Sequence, residues 1–127
     1  LRQQKVDIIA NDIPKCKIYG KGQGDLLVVG WGGTHGAIRS AVESAQSEGL
    51  SISHLHLRHL NPLPKDLGEI LVKFQKVMIP ELNLGQLAMI IRSKFLVDVI
   101  SLCKVQGKPF TQTEVYHKIA ELIKDMK

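Results

Sequence analysis

The sequence predicts an α/β domain: an open, mostly parallel sheet of four to five strands with helices on both faces. Three observations carry that expectation. Short strand-like runs, mostly apolar and bounded by glycine, proline or polar residues, recur at 25–30, 77–79 and 97–102, and 52–57 returns to strand character, as strands covered on both faces do. Between these runs the apolar residues change to a spacing of three and four, the period of an amphipathic helix. The connections are short, and strand–helix alternation across short loops selects parallel strands joined by right-handed crossovers.

Taken in order, residues 1–15 read as the end of a preceding helix or a linker. They open on Leu1 rather than Met, as in a piece of a longer subunit, and residues 16–127 form the domain proper. Residues 16–19 are placed to add an edge strand. After Gly20-Lys21-Gly22-Gln23-Gly24 comes the first apolar strand, 25–30, then a helix over 34–48 with Ile38, Ala41, Val42 and Ala45 on one face and Gly49 as its stop. The strand 52–57 follows. Asn61-Pro62-Leu63-Pro64 breaks the chain before a helix striped by Leu67, Ile70, Leu71 and Phe74. Val77-Met78-Ile79 gives a third strand, and Asn83 is placed to cap a helix carrying Leu87, Ile90, Ile91 and Phe95. After the strand 97–102, Thr111-Gln112-Thr113-Glu114 fits a capping box for a last helix that buries Val115, Ile119, Leu122 and Ile123.

Composition narrows the function. The 127 residues are 44% hydrophobic and 23% charged, which suits one domain with its own core. No apolar run approaches the roughly 18 residues of a membrane span, and no secretory signal opens the chain, so a cytoplasmic location is expected. Cys16 and Cys103 lack CxxC spacing and are too few for a disulfide framework, a zinc site or an iron–sulfur cluster, so reduced structural thiols are expected. The net charge of +5 is scattered, with only 5% aromatic residues to stack on bases. That argues against nucleic acid and suits an anionic small ligand or an acidic protein partner.

In an open parallel sheet, every loop that follows a strand emerges at the carboxyl edge, where ligands bind. Four loops gather there: 31–36, 58–64, 81–86 and 104–110. In Gly30-Trp31-Gly32-Gly33-Thr34-His35-Gly36 the glycines let backbone amides approach an anion at a helix amino end. The bland alternative is a tight strand-to-helix turn and nothing more. The dinucleotide GxGxxG is not met, because His35 stands where its third glycine belongs, and Arg58 and His59 replace the ribose-binding acid. The Walker lysine pattern is also missing. His54 and His56, at i and i+2 on a strand, share a face, but residues 51–65 hold no acid to support a metal. No metal site is therefore expected, and the histidines read as a sheet surface under a helix or an intersubunit contact. No GxSxG elbow supports serine catalysis. Glu81 could serve as a general base, yet it has no fixed partner. The preferred reading holds it in a loop hydrogen-bond network beside Asn83, and no catalytic residue is assigned.

At these same loops the sequence resembles the 2-oxoacid:ferredoxin oxidoreductase family, in particular the C-terminal domain of its 2-oxoglutarate-specific alpha subunits. The resemblance spans about residues 10–110. It is carried by Gly30-Trp31-Gly32-Gly33-Thr34-His35-Gly36-Ala37-Ile38, His54-Leu55-His56-Leu57-Arg58-His59-Leu60-Asn61-Pro62-Leu63-Pro64, Pro80-Glu81-Leu82-Asn83-Leu84-Gly85-Gln86-Leu87 and Lys104-Val105-Gln106-Gly107-Lys108-Pro109-Phe110. Serine is common in the family where Gly33 stands, tyrosine where His35 and His59 stand, and asparagine where Cys103 stands. A hydroxyl contact at Gly33 is therefore not available here.

The resemblance implies a transketolase C-terminal-like fold. It also implies a multi-subunit enzyme that oxidatively decarboxylates a 2-oxoacid with thiamine diphosphate and magnesium, passes electrons through an iron–sulfur cluster to ferredoxin, and forms an acyl-coenzyme A. The chain has neither the Gly-Asp-Gly diphosphate motif nor cluster cysteines, so the rest of the alpha subunit and a beta subunit would carry those groups, and the fragment alone would be inactive. Its own role is then assembly, or binding of coenzyme A phosphate through Gly32, Gly33, Thr34 and Arg58. Asn61, Glu81, Asn83, Gln86 and Lys104 line the carboxyl-edge loops without an assigned role. The alternative is a non-catalytic, doubly wound assembly or regulatory anion-binding module of another enzyme.

Overall fold

Alternate side chains of the first long strand serve two separate cores. In the computed structural model, which describes residues 16–58, 63–81, 86–104 and 109–126, strand β2 (Gly24–Trp31) turns Leu26 and Val28 to one face and Leu27 and Val29 to the other. All four are fully buried. This is the two-sided burial that a strand without polar alternation requires. The expected helix end or linker over 1–15, together with His59, Asn61 and Asn83, lies outside the described residues.

The remaining elements are β1 (Ile18–Tyr19), a 3-10 turn (Gly32–Thr34), α1 (His35–Ser47), β3 (Ile52–Leu57), α2 (Leu67–Leu71), β4 (Phe74–Glu81), α3 (Gln86–Phe95), β5 (Ile100–Cys103) and α4 (Gln112–Asp125). The sheet order is β1-β3-β2-β4-β5. β1 is the expected edge strand, and it runs antiparallel to β3. The other pairs, β2–β3, β2–β4 and β4–β5, are parallel. One core lies under α1 and α4, where Ile38, Ala41 and Val42 meet Val115, Ile119 and Ile123. The other lies under α2 and α3, where Leu67, Leu71, Leu87 and Ile91 cover Leu27, Leu55 and Ile79. Each fully buried side chain of this size contributes about 1.5–3 kcal/mol.

Several boundaries differ from the sequence reading. Phe74, expected on a helix, opens β4: α2 ends at Leu71, and Phe74 pairs with Gly24 in the sheet. The spacing of three from Leu71 suits a helix, and pairing with the central strand β2 overrides it. Ile90 does not join the buried stripe of α3, which consists of Leu87, Ala88 and Ile91. The strand expected from Val97 starts only at Ile100, because Leu96 closes α3 in a left-handed conformation (φ 54°) and the chain needs three residues to regain the sheet. The capping box of α4 is present as expected, with the Thr111 hydroxyl and the Glu114 carboxylate each accepting from the other's backbone amide.

Candidate functional site

The topology opens the sheet at one place. From β2 the chain crosses by way of α1 to β3. From β3 it crosses on the opposite face, by α2, to β4 on the far side of β2. The helices that follow the neighbouring strands β2 and β4, α1 and α3, lie on opposite faces, the switch-point arrangement in which open α/β sheets hold ligands. The ladder agrees. β2 stays paired with β3 as far as Trp31–Leu57, and β4 with β5 as far as Glu81–Cys103, but the β2–β4 ladder stops at Val28–Met78. Pro80, which has no N–H to give, lies on the flank of that opening.

Two backbone features shape the β2 side. Gly32 turns the chain with φ +65°, a conformation that a side chain resists. Gly30 permits a close approach: a Cβ there would stand 2.5 Å from Ile38 Cδ1 and 3.0 Å from Thr34 Oγ1. Thr34 is buried, and its hydroxyl donates to the Trp31 carbonyl at 3.0 Å, which locks the turn. No side chain caps the 3-10 turn or the start of α1. The oriented amides and the dipole there suit negative charge.

Beside this turn stands a cluster of cationic and imidazole side chains. His35 and Arg39, four apart, share a face of α1, while His54 and His56, two apart, share a face of β3. Their rings meet: His35 lies 5.3 Å from His54 and 4.9 Å from His56, and the two β3 rings are 6.2 Å apart. Arg39 Nε donates to His54 Nδ1 at 3.2 Å, and its guanidinium carbon sits 4.0 Å from the Tyr19 ring centre, a cation–π contact. Arg58, exposed, follows β3 next to the glycine turn, since its neighbour Leu57 pairs with Trp31. Burial, and then the charges of Arg39, His35 and His56, push His54 down to about 3. Burial, then His35, Arg58 and Arg39, also lower His56. Among the described residues neither Arg39 nor Arg58 is in a salt bridge, whereas Lys104 pairs with Glu114 and Lys118 with Glu121. Among the described residues the cluster carries positive charge without a compensating carboxylate.

The structure thus brings Gly32, Gly33, Thr34 and Arg58 to adjoining strand ends. Glu81 and Lys104 are engaged elsewhere. The buried carboxylate of Glu81 accepts from the Leu87 and Ala88 amides at 2.7 and 3.2 Å and caps α3. Lys104 Nζ bonds Glu114 at 2.6 Å and the Pro109 carbonyl at 3.1 Å. Gln86 opens α3 on the surface. Sequence reasoning set His54 and His56 apart as a failed metal pair and missed their company. The i, i+4 spacing of His35 and Arg39 was the signal that they form one group. No three His, Cys, Asp or Glu residues among the described ones are arranged to hold a metal ion. Both cysteines are free thiols, with Cys16 raised to about 12 by burial and by Asp66.

Residues 24–115 match the pyruvate:ferredoxin oxidoreductase core domain II family. The chain belongs to that family. It is 46% identical over 116 residues to the 2-oxoglutarate oxidoreductase subunit KorA of Mycobacterium tuberculosis, covering 91% of this chain and 18% of the relative. The 2-oxoglutarate:ferredoxin oxidoreductase of Magnetococcus marinus, solved with 2-oxoglutarate, coenzyme A and succinyl-CoA bound, superposes with a TM-score of 0.90 at 28% identity, over 96% of this chain and 22% of that one. An inactive split-gene transketolase tetramer shares the fold alone, with a TM-score of 0.64 at 17% identity over 85% of this chain and 41% of that one. The chain thus spans about a fifth of the length of the curated relatives it matches, and the expected transketolase-like sheet is present.

Proposed function

We propose that this chain is the C-terminal domain of a 2-oxoglutarate:ferredoxin oxidoreductase alpha subunit, and that its carboxyl edge holds the phosphate end of coenzyme A. The whole enzyme is then a cytoplasmic assembly of alpha and beta subunits that oxidatively decarboxylates the 2-oxoacid, forms its acyl-coenzyme A and delivers electrons to ferredoxin. The names of the Mycobacterium tuberculosis and Magnetococcus marinus relatives support that substrate and acceptor. Thiamine diphosphate with magnesium and an iron–sulfur cluster supply the redox chemistry of such an enzyme. This chain's residues do not fit them: the described residues offer no metal-binding group and the chain has two cysteines where a cluster takes four.

The observation that carries the ligand reading is the uncompensated positive cluster beside an uncapped helix start at the open switch point. The turn amides at Gly32–Thr34 orient a phosphate, and Arg58 supplies a fixed charge. In the assembled enzyme Arg58→Ala should weaken coenzyme A binding by about 1–3 kcal/mol, the range for a charge-assisted hydrogen bond, and leave thiamine binding unchanged. Lysine should rescue in part. Unchanged coenzyme A affinity with a lowered melting temperature would remove Arg58 from the ligand role.

A second reading, assembly, is favoured by a different face. Val72, Met89, Ile90 and Leu96 on and after α2 and α3 are exposed apolar side chains, Leu96 at 89%. They suit contact with the rest of the subunit. Met89→Glu with Leu96→Glu should weaken co-purification of the subunits while the domain's own melting temperature holds; intact assembly would count against this role.

A further inference from the structure

The histidines of β3 stand where the fold would take apolar residues. Their face of the sheet is lined by Ile52, Val28 and Leu26, all within the core under α1 and α4. Yet His54 is fully buried, and His54 Nε2 and His56 Nδ1 have no hydrogen-bond partner among the described residues. Buried polar atoms are ordinarily paired. Because His54 Nδ1 accepts from Arg39, the neutral ring carries its proton on Nε2. The unpaired atom is therefore a donor. His56 Nδ1 lies close under the glycine turn, 3.7 Å from where a Gly30 Cβ would be, and the Thr34 hydroxyl nearby is already bonded to Trp31.

The groups that face these rings share one sign. α1 contributes His35 and Arg39, the segment after β3 contributes Arg58, and β1 contributes the Tyr19 ring beneath Arg39. Among the described residues no carboxylate acts on either β3 histidine: burial depresses both, and the charges that add to it are those of Arg39, Arg58 and the other imidazoles. An oxyanion at the start of α1 would reverse that field, accept from imidazole N–H groups and favour the imidazolium. Gly32 and Gly33 leave the approach open, since nothing lies within 4 Å of a Cβ at either position.

We propose that His35, His54 and His56, with Arg39 and Arg58, line a proton-linked oxyanion site at the amino end of α1, where a phosphate-class dianion binds together with a proton taken up by the imidazole cluster. This deepens the phosphate site proposed above and rests on it.

Sulfate is the probe, because it stays a dianion throughout the neutral range and any pH dependence of its binding belongs to the protein. Titration of the chain at constant ionic strength should show affinity rising about tenfold from about pH 7.5 to pH 5.5. Calorimetry in two buffers of different ionisation enthalpy should show proton uptake, and histidine ring resonances should titrate at higher pH with sulfate bound. Exposed His35→Ala, which threatens the fold least, should flatten the pH dependence in part, and His56→Gln should flatten it further. Sulfate bound equally at both pH values with no proton uptake would overturn this inference and leave the phosphate site standing. No sulfate binding at either pH would remove both.

Discussion

Acid should destabilise this fold through His54, by an amount the burial of one ring sets. The imidazole is wholly buried and is pushed down to about 3 from an ordinary value of 6.5, by burial first and then by Arg39, His35 and His56. In the unfolded chain the same ring titrates at its ordinary value, so between the two pKa values the unfolded state binds a proton that the folded state does not. This contribution to stability is therefore fully present above the unfolded value and is lost as pH falls through it toward the folded one. The loss is about 2 kcal/mol at pH 5 and about 4 kcal/mol near pH 3. For a domain of this size, 2 kcal/mol corresponds to about 6–8 °C in melting temperature.

His54→Asn is the informative variant, because an asparagine oxygen can replace Nδ1 as the acceptor for Arg39 while removing the titration. Its absolute stability will fall with the lost volume, so the comparison is between slopes. Urea unfolding of both proteins in chloride buffer, free of sulfate and phosphate, should give a wild-type loss from pH 7.5 to pH 5 that exceeds the variant's by about 2 kcal/mol. A residual slope in the variant belongs to His56, which is lowered by burial, then by His35, Arg58 and Arg39. Slopes that coincide within about 0.5 kcal/mol would refute the buried neutral imidazole.

Three further substitutions test the parts around the site. Gly30→Ala places a methyl 2.5 Å from Ile38 Cδ1 and 3.0 Å from Thr34 Oγ1, so overpacking should cost about 1–3 kcal/mol, and an unchanged melting temperature would contradict the close approach. Glu81→Ala leaves the Leu87 and Ala88 amides without their acceptor; about 1–3 kcal/mol should be lost, with faster hydrogen exchange in the first turn of α3 and not of α1. Leu96→Gly should stabilise by about 0.5–1 kcal/mol, because an 89% exposed leucine gives up little burial and glycine accepts φ 54° freely.

The sheet and its helices were legible because both faces are covered. Residues 26–29 are apolar without alternation, and the stripes of α1 and α4 repeat at three and four. What escaped was set by tertiary contact. Phe74 fits the α2 stripe by spacing, yet it lies in β4 because the strand pairs with β2 from Gly24 onward. Ile90 fits the α3 stripe but faces outward, since α3 buries a narrow line along Leu87, Ala88 and Ile91. Glu81 as the cap of α3 lies six and seven residues from its amides and has no short motif to announce it. The glycine turn was visible in sequence. The histidine cluster was not, because α1 and β3 bring its halves together only through packing.

The cluster also bears on how the domain's stability relates to its ligand. Two buried nitrogens without partners cost about 1–3 kcal/mol each, a sizeable part of the roughly 5–15 kcal/mol that holds a domain together. Elsewhere the same strands keep to local rules: Leu55 and Leu57 on the opposite face of β3 are buried against α2 and α3 with no polar atom to satisfy. Among the described residues the unpaired buried side-chain atoms are confined to the α1 face, and they run toward the strand ends where the β2–β4 ladder has opened. Buried polar groups left without partners, where the rest of the core is paired or apolar, are the kind of departure expected at a functional site. A ligand at about 100 times its Kd adds about 2.7 kcal/mol to stability, the same order as the cost of the unpaired nitrogens. An oxyanion bound at the proposed site would offset the cost that the histidines impose on folding, and folding, protonation and ligand binding would become one linked equilibrium.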